Sequence, residues 1–205
     1  MSNLESLADF FIESNKLKNT IRYTSCPEKI QESTAGHSWQ ITLMVPIIAR
    51  ELGLDINLLH AMEIANVHDL AEYADTKDYD AYLVSIGTLS KIDKDKSEEA
   101  VMLDLKNRFN FGLSLYSLWK EYQEGETQEA RFVKALDKIE SHFHIIEREG
   151  AVDNPENLKY QLTYSDNAVR NFPQLEPLLR IAKNRLRAIA ESQGIIWKKE
   201  YDYPD

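Results

Sequence analysis

The sequence predicts an all-α fold on three observations. Apolar residues recur at the three- and four-residue spacing of a helix along most of the 205 residues. Glycine and proline are scarce, at seven and six residues, so the chain has few of the turn signals that an all-β protein needs. No low-complexity tract or linker divides the chain. We therefore expect one helical-bundle domain over residues 1–205, with a core at about 20–150 and C-terminal helices at about 156–192 packed on it.

Local signals define the first elements. A helical pattern covers about residues 3–17, and the polar, broken segment 18–32 that follows is expected to lie over the surface. Ser33 or Thr34 can cap a second helix, because a short side-chain oxygen can accept a hydrogen bond from a free N–H in the first turn. Gly53 is expected to end that helix.

A third helix is expected to begin at Asp55 as its cap and to carry His68 near its C-terminal end. After it, the acidic and aromatic run 73–80 is expected to form a loop or a short helix. Further helical patterns cover about 97–109, 113–122, 127–149, 156–170 and 174–192.

Composition limits the classes of partner. The formal net charge of −10 argues against nucleic acid or an anionic membrane, because binding to either needs a basic surface. A single cysteine, Cys26, leaves no internal disulfide and suits a reducing compartment. The N-terminal residues lack the basic and apolar stretches of a signal peptide. We expect a cytoplasmic protein, for which free nucleotides remain possible ligands.

A polar cluster interrupts the apolar pattern at the end of the third helix. On a helix, Glu72 shares a face with His68 and Asp69, so an imidazole and two carboxylates are expected to converge. Ionised groups on an apolar surface need a partner, and a divalent cation would satisfy all three. His37 upstream and Asp137 downstream carry residue types that would complete its coordination.

This set of residues suits metal-dependent hydrolysis. Two imidazoles and two carboxylates favour manganese, iron, cobalt, nickel or zinc over calcium. A cation held in this way lowers the pKa of bound water and polarises a phosphoryl oxygen, and Glu72 could take the proton of that water. Arg22 and Lys134 could hold the remaining phosphate oxygens. Asp75 and Asp78 are candidates for the general acid.

Three segments carry a resemblance to a known family. They are ESTAGHSW at 32–39, HDLAE at 68–72 and FVKALDKIE at 132–140. Their order of His, then His-Asp, then Asp is similar to that of the HD-domain superfamily of metal-dependent phosphohydrolases. Within it, the segments resemble the compact branch that includes bacterial 5′-deoxynucleotidases. The resemblance spans about residues 22–148.

The resemblance implies an HD-type helical bundle and a homodimer. It implies one divalent metal ion, held by His37, His68, Asp69 and Asp137. It further implies that Glu72 acts on the attacking water and that Arg22 and Tyr23 line the nucleotide site. No histidine lies between Asp69 and Asp137, so one metal fits this chain better than the two metals of the di-iron oxygenases in the superfamily.

The sequence departs from the family at two positions. Family members tend to have a Gly-Asp pair nine residues beyond the second histidine, where this chain has Lys77. An acidic residue often precedes the first ligand histidine, where this chain has Gly36. These changes leave the metal ligands intact and concern leaving-group chemistry and nucleotide specificity.

The sequence thus predicts a metal-dependent phosphohydrolase that releases orthophosphate from nucleoside 5′-monophosphates. Two alternatives remain open. One is a nucleoside triphosphate hydrolase of the same superfamily, and the other is a nucleotide-sensing protein that keeps the metal site without turnover. The missing histidines disfavour a di-iron oxygenase.

Overall fold

The computed structural model describes residues 3–74, 80–149 and 155–204. Helices dominate these ranges, which confirms the predicted all-α class. Their bounds are α1 (Asn3–Ser14), α2 (Thr34–Glu51), α3 (Leu58–Val67), α4 (Ala81–Ser85), α5 (Lys91–Arg108), α6 (Gly112–Glu124), α7 (Gln128–Glu147), α8 (Pro155–Arg170) and α9 (Glu176–Ser192). Short 3₁₀ segments join several of them.

A two-residue antiparallel ladder lies within the polar segment before α2. Strand β1 (Ile21–Arg22) pairs with β2 (Glu32–Ser33), so that Arg22 lies opposite Glu32. The ladder closes the intervening residues into a loop that lies against the bundle next to the start of α2.

The helix termini agree with the predicted caps in part. The Ser33 side chain accepts a hydrogen bond from the N–H of Gly36 and caps α2. Gly53 follows α2 in the left-handed conformation that glycine favours, with φ of 59°. The prediction that Asp55 caps α3 was wrong. Asn57 does so instead, because its side chain is the one that reaches the free N–H of His60, at 3.3 Å.

The segment around His68 also differs from the prediction of a continuous helix. Helix α3 ends at Val67, and Asp69 leaves the helical conformation with φ of −109° and ψ of 14°. A 3₁₀ segment, Leu70–Tyr73, follows. Its apolar side chains are buried against α1, α5 and α6, so tertiary packing takes the place of further α-helical turns. Glu72 therefore does not share an α-helical face with His68.

The main core is formed where α2, α3 and α7 pack together. Side chains with no exposed surface meet there from all three helices, including Ile41, Ile64 and Leu136. His37 precedes Ile41 by four residues on α2, and Asp137 follows Leu136 on α7. The same packing that buries the core thus brings these two polar side chains to one end of it. Helices α8 and α9 pack on α7.

Among the described residues, no helix combines the length and the apolar character that crossing a bilayer requires.

Candidate metal centre

The four predicted metal ligands meet at one point in the structure. An imidazole nitrogen from each of His37 and His68 and a carboxylate oxygen of Asp69 lie within 4.8 Å of one another. Asp137 joins them from α7, since its Oδ1 lies 3.1 Å from Nε2 of His37. Three separate parts of the chain, α2, the end of α3 and α7, therefore supply two nitrogen and two oxygen donors. This is the mixed donor set that suits a transition metal.

His68 is oriented as a metal ligand would be. Its Nδ1–H donates to the carbonyl of Ala65 at 2.8 Å, which leaves the lone pair on Nε2. That Nε2 is buried and has no aligned hydrogen-bond partner among the described residues. Oδ2 of Asp69 lies 3.1 Å away but outside hydrogen-bond geometry. A buried nitrogen lone pair without a partner is costly, and a bound cation would satisfy it. The residues therefore fit the divalent metal that the family implies.

His37 lies between two carboxylates. Its Nδ1 is 2.5 Å from Oε2 of Glu140, while its Nε2 faces Asp137. Burial and the charge of Arg22 lower the pKa of His37, but the hydrogen bonds to Asp137 and Glu140 outweigh them and raise it to about 9. In the metal-free protein a proton therefore lies between His37 Nε2 and Asp137, and binding of a cation by these two residues would displace it.

Both carboxylate ligands are held in the ionised form. Burial alone would raise the pKa of Asp137, but the charge of Lys138 and the hydrogen bond from His37 hold it well below its usual range. The second oxygen of Asp137 accepts from the Tyr122 hydroxyl and lies 2.6 Å from Lys138 Nζ. Burial likewise opposes ionisation of Asp69, but its interactions with His68, Arg22 and His37 outweigh burial, so the pKa of Asp69 is also low.

Glu72 is buried close to this centre and is held from two helices. Its Oε2 accepts a hydrogen bond from the Thr34 hydroxyl of α2 at 2.9 Å. Its Oε1 lies 3.7 Å from Nζ of Lys94, in the first turns of α5. The other two carboxylates predicted to act in catalysis, Asp75 and Asp78, lie outside the described residues.

Of the three residues predicted to bind substrate, two lie together in one pocket and one lies elsewhere. Arg22 NH1 lies 3.4 Å from Glu32 Oε1 across the ladder. The Tyr23 ring stacks on His144, with centroids 5.5 Å apart. Arg22 and Tyr23 both line a pocket next to the centre. Lys134 does not line it.

Lys134 lies over the Tyr122 ring instead, and its Nζ donates to the carbonyl of Gln123 at 3.2 Å. Lys138, one turn further along α7, is the lysine that lines the pocket.

The sequence reasoning missed several residues near the centre, among them Glu140, Thr34 and Lys94. Glu140 follows Asp137 by three residues, so helical spacing alone could have indicated that it shares a face with that ligand. Thr34 and Lys94 gave no such signal, because the contacts that bring them to Glu72 join distant parts of the chain.

Comparison with sequence families agrees with this geometry. A model of the HD domain family matches residues 14–176. The 5′-deoxynucleotidase HDDC2 of Xenopus laevis is 30% identical over 166 residues, which are 78% of this chain and 77% of that protein. The 5′-deoxynucleotidase HDDC2 of Danio rerio is 29% identical over 165 residues, which are 79% of this chain and 78% of that protein.

Solved structures share the fold. A predicted metal-dependent phosphohydrolase from Magnetospirillum magnetotacticum MS-1 superposes with a TM-score of 0.72 at 22% identity, covering 96% of this chain and 100% of that chain. A conserved hypothetical protein from Pyrococcus furiosus gives a TM-score of 0.61 at 25% identity, covering 84% of this chain and 98% of that one. The predicted HD-type helical bundle is confirmed.

Proposed function

This chain belongs to the HD domain family, and on that premise we propose that it is a metal-dependent phosphohydrolase that releases orthophosphate from nucleoside 5′-monophosphates. The observation that carries the proposal is the convergence of two histidines and two carboxylates around an unpartnered, buried Nε2 of His68. The substrate class is supported by the name 5′-deoxynucleotidase that the relatives bear.

The metal would be held by His37, His68, Asp69 and Asp137. When bound, a divalent cation supplies positive charge that acidifies water and polarises a phosphoryl oxygen. The low pKa values of Asp69 and Asp137 favour the charge state that such coordination needs.

Glu72 is the residue we assign to the attacking water. Its carboxylate is buried, and the Thr34 hydroxyl and the Lys94 ammonium group hold it from two sides. A carboxylate fixed in this way can orient a water and accept its proton as the oxygen attacks phosphorus.

Arg22 and Tyr23 are assigned to substrate binding, because they line the pocket next to the centre. The planar guanidinium of Arg22 can donate two hydrogen bonds to a phosphate. Lys134 keeps its predicted role as a phosphate contact only if its side chain leaves the Gln123 carbonyl when substrate binds. Asp75 and Asp78 are still proposed as donors of the proton to the leaving alcohol.

The domain organisation and the location are proposed on the sequence, and the homodimer on the family resemblance. We expect a single HD domain over residues 1–205 that acts in the cytoplasm as a homodimer. Light scattering coupled to gel filtration tests the dimer, and a mass near the 23.7 kDa of one chain would refute it.

The proposed activity is tested by incubating the protein with manganese or cobalt and a panel of nucleoside mono-, di- and triphosphates. We expect orthophosphate from 5′-monophosphates and its loss in Asp69→Asn. Asp104→Asn, on the exposed face of α5, is the matched control and should retain activity. Release of pyrophosphate or triphosphate would instead favour a triphosphate hydrolase. Absence of turnover with every phosphorylated compound would refute the proposal.

A further inference from the structure

His144 is a histidine of α7 that takes no part in the metal centre or in the proposed hydrolysis. It follows Asp137 by seven residues and Glu140 by four, so the three side chains share one face of the helix. Only 8% of the His144 side chain is exposed. Since a polar side chain that is buried to this extent needs partners, its contacts indicate what it does.

The His144 imidazole contacts the ladder of β1 and β2 and the loop between them at three places. Its Nε2 lies 2.6 Å from the carbonyl oxygen of Ile30, and because a carbonyl can only accept, this nitrogen is the donor. Its Nδ1 lies 3.3 Å from Oε2 of Glu32 on β2. Its ring stacks on Tyr23, with centroids 5.5 Å apart and planes 3° from parallel. One side chain thus joins α7 to both ends of the loop.

Two of these contacts lead on to Arg22. The other oxygen of Glu32, Oε1, lies 3.4 Å from NH1 of Arg22. The Arg22 guanidinium also lies over the Tyr23 ring, with 5.5 Å between Cζ and the ring centroid. His144 therefore reaches Arg22 along two separate paths, one through a carboxylate and one through an aromatic ring.

The backbone at Tyr23 needs support of this kind. Its φ is 60°, in the left-handed region where a residue with a side chain is strained. Such a conformation persists only where surrounding contacts hold it. Because Tyr23 directly follows Arg22, contacts that hold the tyrosine also limit where the arginine can lie.

Arg22 is held close to a metal ligand. Oε1 of Glu32, which contacts Arg22, also lies 3.9 Å from Nδ1 of His37. The guanidinium and the imidazole of the ligand therefore flank the same carboxylate oxygen. This placement agrees with the assignment of Arg22 to the substrate phosphate.

We infer that His144 is a positioning residue that fixes Arg22 for binding of the substrate phosphate. The inference rests on the proposed function. A guanidinium that is held in place before substrate arrives loses less conformational freedom on binding, so that more of the interaction energy contributes to affinity. Since α7 carries both Asp137 and His144, one helix fixes the position of the phosphate-binding arginine relative to a metal ligand.

A kinetic test compares His144→Ala with Glu147→Ala, a control at an exposed position of the same helix. In the presence of manganese, His144→Ala should raise KM for a nucleoside 5′-monophosphate about tenfold, because a hydrogen bond to a charged group is weakened. Its kcat and its affinity for manganese should stay close to those of the wild type, since binding of substrate and not the metal centre is changed. Glu147→Ala should match the wild type in all three.

An unchanged KM in His144→Ala would overturn the inference. A lower kcat at unchanged KM, or weaker manganese binding, would also overturn it, because His144 would then act on the metal centre. If His144→Ala does not fold, His144→Gln, which keeps a donor for the Ile30 carbonyl but removes the ring, takes its place with the same expected changes.

A double-mutant cycle tests whether His144 acts through Arg22. Arg22→Ala alone should raise KM, and adding His144→Ala to it should raise KM by less than about twofold more. Independent increases that multiply in the double variant would contradict a role through Arg22.

Hydrogen exchange followed by mass spectrometry separates this inference from the proposed function, because it needs no activity. The amides of residues 21–33 should exchange about tenfold faster in His144→Ala than in the wild type, whereas those of residues 41–49 in the middle of α2 should not change. If no phosphorylated compound is hydrolysed, the proposed function fails while this experiment still tests the contacts of His144. Unchanged exchange in residues 21–33 would refute the positioning role, even if phosphate is released from nucleotides.

Discussion

Nδ1 of His37 and Oε2 of Glu140 lie 2.5 Å apart in the buried interior, and this contact fixes the orientation of a metal ligand. Glu140 follows Asp137 by about one turn of α7. The same helix therefore supplies one ligand to the centre and the carboxylate that holds Nε2 of His37 toward it. Such a partner fixes the ring and increases its basicity as a ligand.

We predict that Glu140→Gln weakens metal binding by roughly 10- to 100-fold, because the amide accepts a weaker hydrogen bond from His37 than the carboxylate does. Calorimetric titration of the metal-free protein with manganese measures the effect. Glu147→Gln, an exposed position on the same helix, is the control and should bind as the wild type does. Equal affinities in all three proteins would contradict the role of Glu140.

Metal binding should stabilise the fold, because the centre joins α2, the end of α3 and α7. At a free metal concentration about 100 times Kd, the stabilisation is about 2.7 kcal/mol, which a rise in Tm reports. His68→Gln should abolish this rise. His60→Gln should retain it, because His60 instead contacts Glu121 at 2.8 Å. A metal-dependent rise in His68→Gln as large as in the wild type would exclude His68 as a ligand.

Thr34→Val should lower kcat about tenfold or more, because Glu72 loses a hydrogen bond to its charged carboxylate. Thr34→Ser keeps the hydroxyl and should retain activity. Rates of phosphate release measure both. In a Glu72→Gln background, the further effect of Thr34→Val should be small, since the two residues act together. Additive losses would show that Thr34 acts independently of Glu72.

Stability should fall in acid because of His142. Burial first, and the charge of Lys183 second, lower the pKa of this histidine to about 3, and its Nε2 lies 3.1 Å from the Ser165 hydroxyl oxygen. In the unfolded chain the pKa of His142 is near 6.5. Between pH 3 and pH 6.5 the unfolded chain therefore binds more protons at this residue than the folded protein does. The contribution of neutral His142 to the free energy of unfolding is complete above pH 6.5. It falls by about 1.4 kcal/mol per pH unit as the pH drops toward 3.

His142→Gln removes this titration while keeping a polar group for Ser165. The free energy of unfolding of the variant, from urea denaturation at several pH values between 4 and 7, should fall less steeply than that of the wild type. Parallel curves for the two proteins would contradict a neutral, buried His142.

The sequence reasoning was most accurate where the signal was local. Ser33 as a cap and Gly53 after the second helix were confirmed, since each depends on a few neighbouring residues. It was wrong where tertiary packing competes with helix propensity. The extension of α3 through Glu72 failed because Leu70 and Tyr73 are buried against α1, α5 and α6, where a 3₁₀ segment places them.

The start of α5 shows a second limit of predicting helices from the sequence. The apolar pattern begins near residue 97, whereas the helix begins at Lys91, capped by Ser90. Its first turns are polar and carry no hydrophobic periodicity, yet they bring Lys94 to Glu72. A pattern of apolar residues cannot detect a helical turn that is polar and whose tertiary contact is a single ion pair.

By itself the sequence determined the helical class, because apolar periodicity is a property of neighbouring positions. Its resemblance to the HD family identified the types and order of the four ligand residues. Only the tertiary structure decided which groups surround those ligands. The contacts of His37 with Glu140 and of Thr34 with Glu72 join positions 103 and 38 residues apart. They exist because helices pack side by side, and no local pattern specifies which two side chains then come within hydrogen-bond distance.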